Sequence, residues 1–362
     1  MSMAGDGSIP KRELLSDQAA DYLREGINSG RWAGELPSEA ELCRELKVSR
    51  VTLRKALGQL EREKWIEIGG RGRRHRIRRN RVRPPTKAAG GIIRLLTPYH
   101  PLEMGSLHQQ VRRAISEAFG SEGYWIEVEH RPNLFERFKS AELARLDSKP
   151  NTAGWVLCFS TAKIQQWFES RDRPVVVLGR RHRGIKNLST IYPDTEAMAR
   201  HSVGLFRARG HSEIVYLIDE FTSLGDRMCA EEFVRAAARE GTRVQVVTHS
   251  RSRESVRRAL NGVLAARPAP TAFFSTCPEH CVSVLCHLQA AGIRVPASVS
   301  LICGWDDSIL DFTVPPLTRY RVNADLLGRK LGELLIDQLR HGPGKIREIT
   351  LMPEVLSGGT LG

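Results

Sequence analysis

A chain of 362 residues with a formal charge of +14 is longer than one ordinary domain and basic enough to suit a polyanionic partner. It offers no run of about 20 apolar residues to span a membrane, and its first residues, MSMAGDGSIPKRELLSD, lack the apolar segment of a secretory signal. Seven cysteines, odd in number and widely scattered, suit free thiols in a reducing cytoplasm rather than a disulfide framework.

The pattern predicts a first helix from Ser16 to Ser29, with Ala19, Ala20, Leu23 and Ile27 facing inward and Gly30 ending it. Ser38 can N-cap a second helix, and Glu41 three residues on completes a capping box. Ser49 can cap a third, whose apolar positions Leu53, Ala56, Leu57 and Leu60 recur at i, i+3, i+4 and i+7. That stripe leaves Arg50, Thr52 and Arg54 off the buried face. Trp65 to Ile68 alternates like a strand, Gly69-Gly70 turns, and Arg71 to Arg78 returns as a basic strand. Two short helices followed by a basic hairpin suit a phosphate backbone and a major groove. Between Arg71 and Lys87 nine residues are basic and none acidic, which concentrates positive potential where it can displace counterions.

After Arg83-Pro84-Pro85-Thr86 the rhythm changes. Apolar runs (Ile92–Leu96, Trp125–Val128, Trp155–Phe159, Val175–Leu178, Ile214–Ile218, Val244–Val247, Ala272–Phe274, Val299–Cys303) alternate with amphipathic stretches, beginning with a helix around 106–120. Such alternation implies parallel sheets with helices on both faces. The expected fold is therefore α/β: a helical unit with a hairpin over 1–79, a basic linker over 80–90, and two lobes over 91–362.

The first 80 residues resemble the winged helix-turn-helix domain of GntR-type bacterial transcription regulators. The resemblance rests on LPSE-x-EL, on VSR-x-T-x-R-x-AL-x(2)-L and on GRG in the wing. It implies that Ser38, Ser49, Arg50, Thr52, Arg54, Gly70, Arg71, Gly72 and Arg73 meet DNA. Ala40 stands where many members carry an arginine. Residues 91–356 are similar to the ligand-binding domain of LacI/GalR regulators, a periplasmic sugar-binding-protein fold. The matching segments include RPVVVLGR (173–180), PTAFF (270–274), AGIRVPASVSLICGWDD (291–307) and PPLTRYRVNADLLG (315–328). Ligands in such sheets bind beyond the carboxyl ends of the strands. The expected ligand set is Tyr99, Ser160, Arg180, Asp194, Arg227, Glu279, Trp305 and Asp306, of which the resemblance favours Arg227. Sugar-binding members usually place Asn-Asp where this chain has Cys277-Pro278, so Glu279 is the nearest carboxylate that could substitute.

These readings imply a cytoplasmic, homodimeric regulator, more naturally a repressor, that binds double-stranded operator DNA and is switched by a sugar-like effector. No membrane contact, cofactor or metal is expected. Cys277, His280, Cys281, Cys286 and His287 lie close together but lack CxxC spacing, and Cys281 reads as a small core residue. The competing readings are an α/β enzyme and a binding protein for a non-sugar small molecule. A nucleophile elbow, a dinucleotide-binding glycine pattern and a P-loop are all missing from the sequence.

Overall fold

The computed structural model describes residues 15–28, 32, 34–63, 65–69, 74–77, 90–101, 104–220, 223–250, 252–342 and 344–362. The chain divides into two compact units, Met1–Lys87 and Ala88–Gly362. The expected hairpin tip at Gly70, Arg71, Gly72 and Arg73, the helix stop at Gly30, and residues 78–89, which include all of the expected 80–90 linker but Gly90, lie outside the described residues.

In the first unit, α1 (Leu15–Asn28), α2 (Glu39–Leu46) and α3 (Arg50–Arg62) precede a short antiparallel pair, β1 (Ile66–Glu67) and β2 (Arg76–Ile77). The caps form as the sequence dictates. Ser38 Oγ accepts from the Glu41 N–H while the Glu41 carboxylate accepts from the Ser38 N–H at 2.9 Å. The Ser38 hydroxyl also donates to that carboxylate at 2.7 Å, and this bond with the one from the Ser38 N–H holds the Glu41 carboxyl below its ordinary range. Ser49 Oγ accepts from the Thr52 N–H at 3.1 Å. Ala20, Leu23, Leu42, Leu53, Ala56, Leu57, Leu60 and Ile66 then close one small core.

The second unit carries two six-stranded sheets. The strands of the first are β3 (Gly91–Thr97), β4 (Tyr124–His130), β5 (Thr152–Cys158), β6 (Val175–Leu178), β7 (Ser189–Pro193) and β13 (Glu348–Leu351). They are arranged β13-β7-β6-β5-β3-β4, all parallel. Alternation along each strand splits its side chains between two cores. Leu95, Val156 and Val176 face α4 (Ser106–Ser121) and α12 (Ala324–His341). Leu96, Trp155, Leu157 and Val177 face the layer of α5 (Pro132–Glu136), α6 (Ser140–Asp147) and α7 (Ala162–Glu169).

The second sheet contains β8 (Glu213–Asp219), β9 (Arg243–His249), β10 (Ala272–Ser275), β11 (Ser300–Cys303), β12 (Thr318–Arg321) and β14 (Glu354–Leu356). Its order is β14-β12-β11-β10-β8-β9, parallel except for β14. Tyr216, Phe274 and Ile302 face α8 (Thr195–Arg207) and α9 (Leu224–Arg239). Val215, Phe273 and Leu301 face α10 (Arg253–Leu264) and α11 (Pro278–Ala290). The expected α/β architecture of two parallel sheets stands. Strands β7, β12, β13 and β14 escaped the sequence reading because they are only three to five residues long and hold too few apolar positions for a period.

The chain passes between the sheets three times: from β7 to α8, from β12 to α12, and from β13 to β14. Pro193 and Leu351 pair side by side, and the Asp194 N–H donates to the Leu351 carbonyl at 2.8 Å. Two of the three crossings are thus bonded to each other.

The α4–α12 contact tolerates no side chain at Gly328, where an added Cβ would lie 2.5 Å from the Ala114 Cβ and 3.0 Å from backbone. Gly328→Val should cost about 1–3 kcal/mol by overpacking. Gly204→Ala, on α8 where a Cβ meets open space, should gain roughly 0.5–1 kcal/mol. Urea-unfolding midpoints of the two variants test the pair of signs.

Candidate functional site

Two adjoining cavities lie between the lobes of the second unit. The outer one, ≈ 790 Å³, is lined from the first lobe by Tyr99, Met104 and His108, and from the second by Asp219, Arg253, Arg257, Thr276, Cys277, Glu279 and His280. The inner one, ≈ 120 Å³, is walled largely by apolar groups, among them Leu107, Val111, Val177, Leu178, Leu224 and Leu327, with Ser160, Arg180 and Thr195 among them. His108, Phe159, Ser223, Asp226 and Trp305 border both.

The walls follow from the topology. Each strand of a parallel sheet delivers its next residues to the same edge, so the segments after β3, β5, β6, β8, β10 and β11 converge there. Phe159, just after β5, adopts φ +54°, a left-handed conformation that a bulky side chain rarely takes. That backbone sets its ring 4.8 Å from Tyr99 and 4.6 Å from His108, making an aromatic plate on one wall. Trp305 comes from the other lobe. Arg180 is anchored rather than loose: it bonds Glu196 at 2.5 Å and lies over the Tyr192 ring at 4.2 Å. Ser223 caps α9, accepting from the Asp226 N–H at 3.1 Å and donating to the Asp226 carboxylate at 2.7 Å.

Five of the eight expected ligand residues border these cavities: Tyr99, Ser160, Arg180, Glu279 and Trp305. Asp194, Arg227 and Asp306 border neither. Asp194 is spent as the N-cap of α8, accepting from the Ala197 N–H at 2.8 Å. Asp306 bonds Arg319 at 2.5 Å and Arg321 at 2.7 Å, which holds its carboxyl below the ordinary range. Both carboxylates therefore brace crossings between the lobes. Arg227 is exposed, because one residue along a helix turns the direction by about 100° and it is Asp226 that faces the cavity. Glu279 accepts the Cys277 thiol hydrogen at 2.9 Å, so the two side chains following β10 are tied together.

Sequence reasoning passed over His108, Phe159, Ser223 and Asp226. The signal for His108 and Asp226 was available, since each sits in the first turn of a helix that follows a strand's carboxyl end. Phe159 had none, because its strained backbone is a tertiary outcome. Among the described residues no three His, Cys, Asp or Glu side chains gather as a metal site, and Cys281 is fully buried in the core.

In the first unit, Ser49 and Thr52 are hydrogen-bonded to each other at 2.9 Å, and Ser38 is closed into its capping box. Arg50 opens α3. Arg54 is two-thirds exposed and pairs with Glu39 at 3.1 Å, and Glu39 also lies 3.6 Å from the buried His75 of the hairpin. A capped helix that offers arginines from its first turns, with its hairpin tied back to the preceding helix, is suited to enter a groove.

Residues 15–81 match bacterial regulatory proteins of the gntR family, and residues 203–361 match the periplasmic binding protein-like domain. The HTH-type transcriptional repressor PurR of Vibrio cholerae serotype O1 (strain M66-2) is 25% identical over 157 residues, 42% of this chain and 46% of the relative. The chain thus spans about half the length of the curated relatives it matches. A LacI family transcriptional regulator from Bifidobacterium animalis subsp. lactis superposes with a TM-score of 0.65 at 16% identity, covering 75% of this chain and 97% of that one. The transcriptional regulator CelR in its cellobiose complex gives 0.66 at 16% identity, over 96% and 100% of the two chains.

Fold and site together define a winged helix-turn-helix head joined to a two-lobed binding-protein fold. The chain thus joins a segment that matches the gntR family, residues 15–81, to one that matches the periplasmic binding protein-like domain, residues 203–361.

Burial pushes the His108 imidazole down to about 4, against a smaller upward pull from Asp226 across the cavity. An unfolded histidine takes up its proton near pH 6.5 whereas the folded one waits until about 4, so His108 contributes stability above pH 6.5 that is lost as pH falls through this window. The loss should reach the order of 2–3 kcal/mol near pH 4. Urea unfolding between pH 7 and 4 should show a steeper decline for wild type than for His108→Gln; parallel declines would place the acid sensitivity elsewhere.

Proposed function

We propose that this protein is a ligand-responsive transcription regulator, a repressor whose winged helix binds operator DNA and whose inter-lobe cleft takes a sugar or sugar derivative. The observation that carries the reading is one chain holding both a capped, arginine-bearing recognition helix and a cleft hinged at three crossings. Ligand contacts to both walls favour a closed cleft, and closure alters the operator affinity of the head by the ligand's differential affinity for the two states. The aromatic plate of Tyr99, His108 and Phe159 opposite Trp305 suits the C–H faces of a pyranose. Asp219, Asp226, Glu279, Arg253 and Arg257 supply the donors and acceptors that its hydroxyls need. A cleft of ≈ 790 Å³ has room for a disaccharide. The apolar inner cavity supports the second reading, a ligand with a substantial non-sugar portion.

DNA contact is assigned to Arg50 and Arg54, to the helix start at Ser38, Ser49 and Thr52, and to the hairpin tip at Gly70, Arg71, Gly72 and Arg73. Nothing in this arrangement calls for catalysis, a cofactor or a membrane, and the cytoplasm is the compartment where operator DNA is met. A homodimer is supported by Ile309, Phe312 and Val314, three large apolar side chains exposed on one short segment, with Phe312 84% and Val314 79% accessible.

A thermal-shift screen of the full chain against monosaccharides, cellobiose and other disaccharides, sugar acids and sugar phosphates tests the cleft. A true ligand at 100 times its Kd should stabilise by about 2.7 kcal/mol. A flat panel would overturn the sugar assignment. Arg50→Ala and Arg54→Ala should each weaken binding to selected DNA fragments at least tenfold and lower the salt slope by about 0.9 per lost phosphate contact. Their melting points should stay put, because the exposed Arg54–Glu39 pair is worth only about 0–1 kcal/mol; unchanged DNA affinity would refute the assignment of α3. Phe312→Asp should convert the dimer to a monomer in sedimentation velocity.

A further inference from the structure

We infer that the loop following β6 forms a second binding site, a basin for the phosphate group of a small phosphorylated molecule. It is separate from the sugar cleft, sharing only Arg180 with the inner cavity and no residue with the outer one. The basin, ≈ 390 Å³, is lined by Arg180, Arg181, Arg183 and Lys186 of that loop, by Glu348 of β13, and by Met228 of α9 in the other lobe. Two of the four cations are answered. Arg180 bonds Glu196, and Arg181 bonds Glu348, which also accepts from the Tyr192 hydroxyl. The exposed side chains of Arg183 and Lys186 make no ion pair or hydrogen bond among the described residues. One further donor is spare, and it is buried: the Nε of Arg180 has no hydrogen-bond partner.

The loop is built to keep these charges together. Gln165, only 1% exposed, donates to the Arg180 carbonyl at 2.9 Å and accepts from the His182 N–H at 2.8 Å. His182 Nε2 lies 2.9 Å from the Ser160 carbonyl oxygen, and Arg181 donates to the Lys186 carbonyl at 3.0 Å. Glu169 accepts from the Lys186 and Asn187 N–H groups at 2.5 and 2.7 Å, and Ile185 packs on the core beneath. Cations on a free loop drift apart in water, whereas this pinned backbone confines them at a cost in repulsion that an anion relieves. Two carboxylates leave two positive charges over. A phosphate monoester brings about −2 at neutral pH and three acceptor oxygens, which a carboxylate does not match. Guanidinium groups present paired donors to phosphate oxygens, and an acceptor is what the buried Arg180 N–H lacks. The basin is also larger than one phosphate group, which leaves room for the organic part of the molecule.

Calorimetric titration of the full-length protein with glucose 6-phosphate and with inorganic phosphate, at neutral pH and physiological ionic strength, tests the basin. Glucose 6-phosphate should bind saturably, and more tightly than inorganic phosphate. The double variant Arg183→Gln/Lys186→Gln should weaken it at least tenfold, the scale of lost charge-assisted hydrogen bonds, with its melting point unchanged because both side chains are exposed and unpaired. Removing equal charge elsewhere, with Arg207→Gln/Arg329→Gln on exposed positions of α8 and α12, should leave the affinity within about twofold. Equal losses in the two double variants would reduce the effect to net charge and overturn the inference. So would glucose 6-phosphate binding that survives Arg183→Gln/Lys186→Gln, which would move phosphate recognition into the cleft, or the lack of saturable binding of either phosphate by wild type. Inorganic phosphate bound the more tightly, and lost in the same double variant, would overturn the phosphorylated molecule and assign the basin to free phosphate. Cellobiose titrated in parallel reads the cleft separately, and its affinity should be the same in wild type and Arg183→Gln/Lys186→Gln.

Discussion

Everything the second unit can do depends on how its two lobes are joined. β7 and β13 lie side by side in the first sheet, and each sends the chain onward into the second lobe. Asp194 caps the helix that begins just beyond one crossing while its own N–H bonds the other. Asp306 grips Arg319 and Arg321 of β12, which leads into the third. Backbone pairing and two spent carboxylates therefore hold the hinge, and the strand ends that form the cleft walls are positioned by it. A hinge built from paired strands resists twisting yet allows opening and closing, the motion a two-state sensor requires.

The cleft itself is graded. Its inner part is largely apolar, with Arg180 locked by Glu196 and Tyr192, and burial keeps His108 neutral there. Its outer part is wider and lined with charges and hydroxyls. A ligand spanning both would bury an apolar face or substituent inward and exchange hydrogen bonds outward, which is how a binding site combines affinity with orientation. The strained backbone at Phe159 belongs to this design. It holds a ring against Tyr99 and His108 at a cost that only surrounding packing sustains.

Much of this was legible beforehand, and the misses have physical causes. The capping box at Ser38 and Glu41, the cap at Ser49 and the stripe from Leu53 to Leu60 formed as read, because they depend on contacts within one or two helical turns. The longer parallel strands were visible as apolar runs. Arg227 is exposed and its neighbour Asp226 lines the cavity, a difference of one helical position that residue type alone does not reveal. Asp194 and Asp306 were read as ligand groups from their chemistry; in the structure the Asp194 carboxylate caps α8 through the Ala197 N–H, and the Asp306 carboxylate is held by Arg319, a partner distant in sequence.

The sequence by itself determined the division into a helical DNA-binding type of unit and a two-lobed α/β unit, since periodicity, caps and charge blocks are local and add along the chain. Only the tertiary structure decided which polar side chains reach the cleft and which are consumed in holding it. It brought His108 opposite Asp226 and His249 behind His280, pairs drawn from separate elements. The reason is that a side chain's availability depends on what else lies within about 3 Å of its polar atoms. That is a property of the packed chain, and residue type and spacing alone do not carry it.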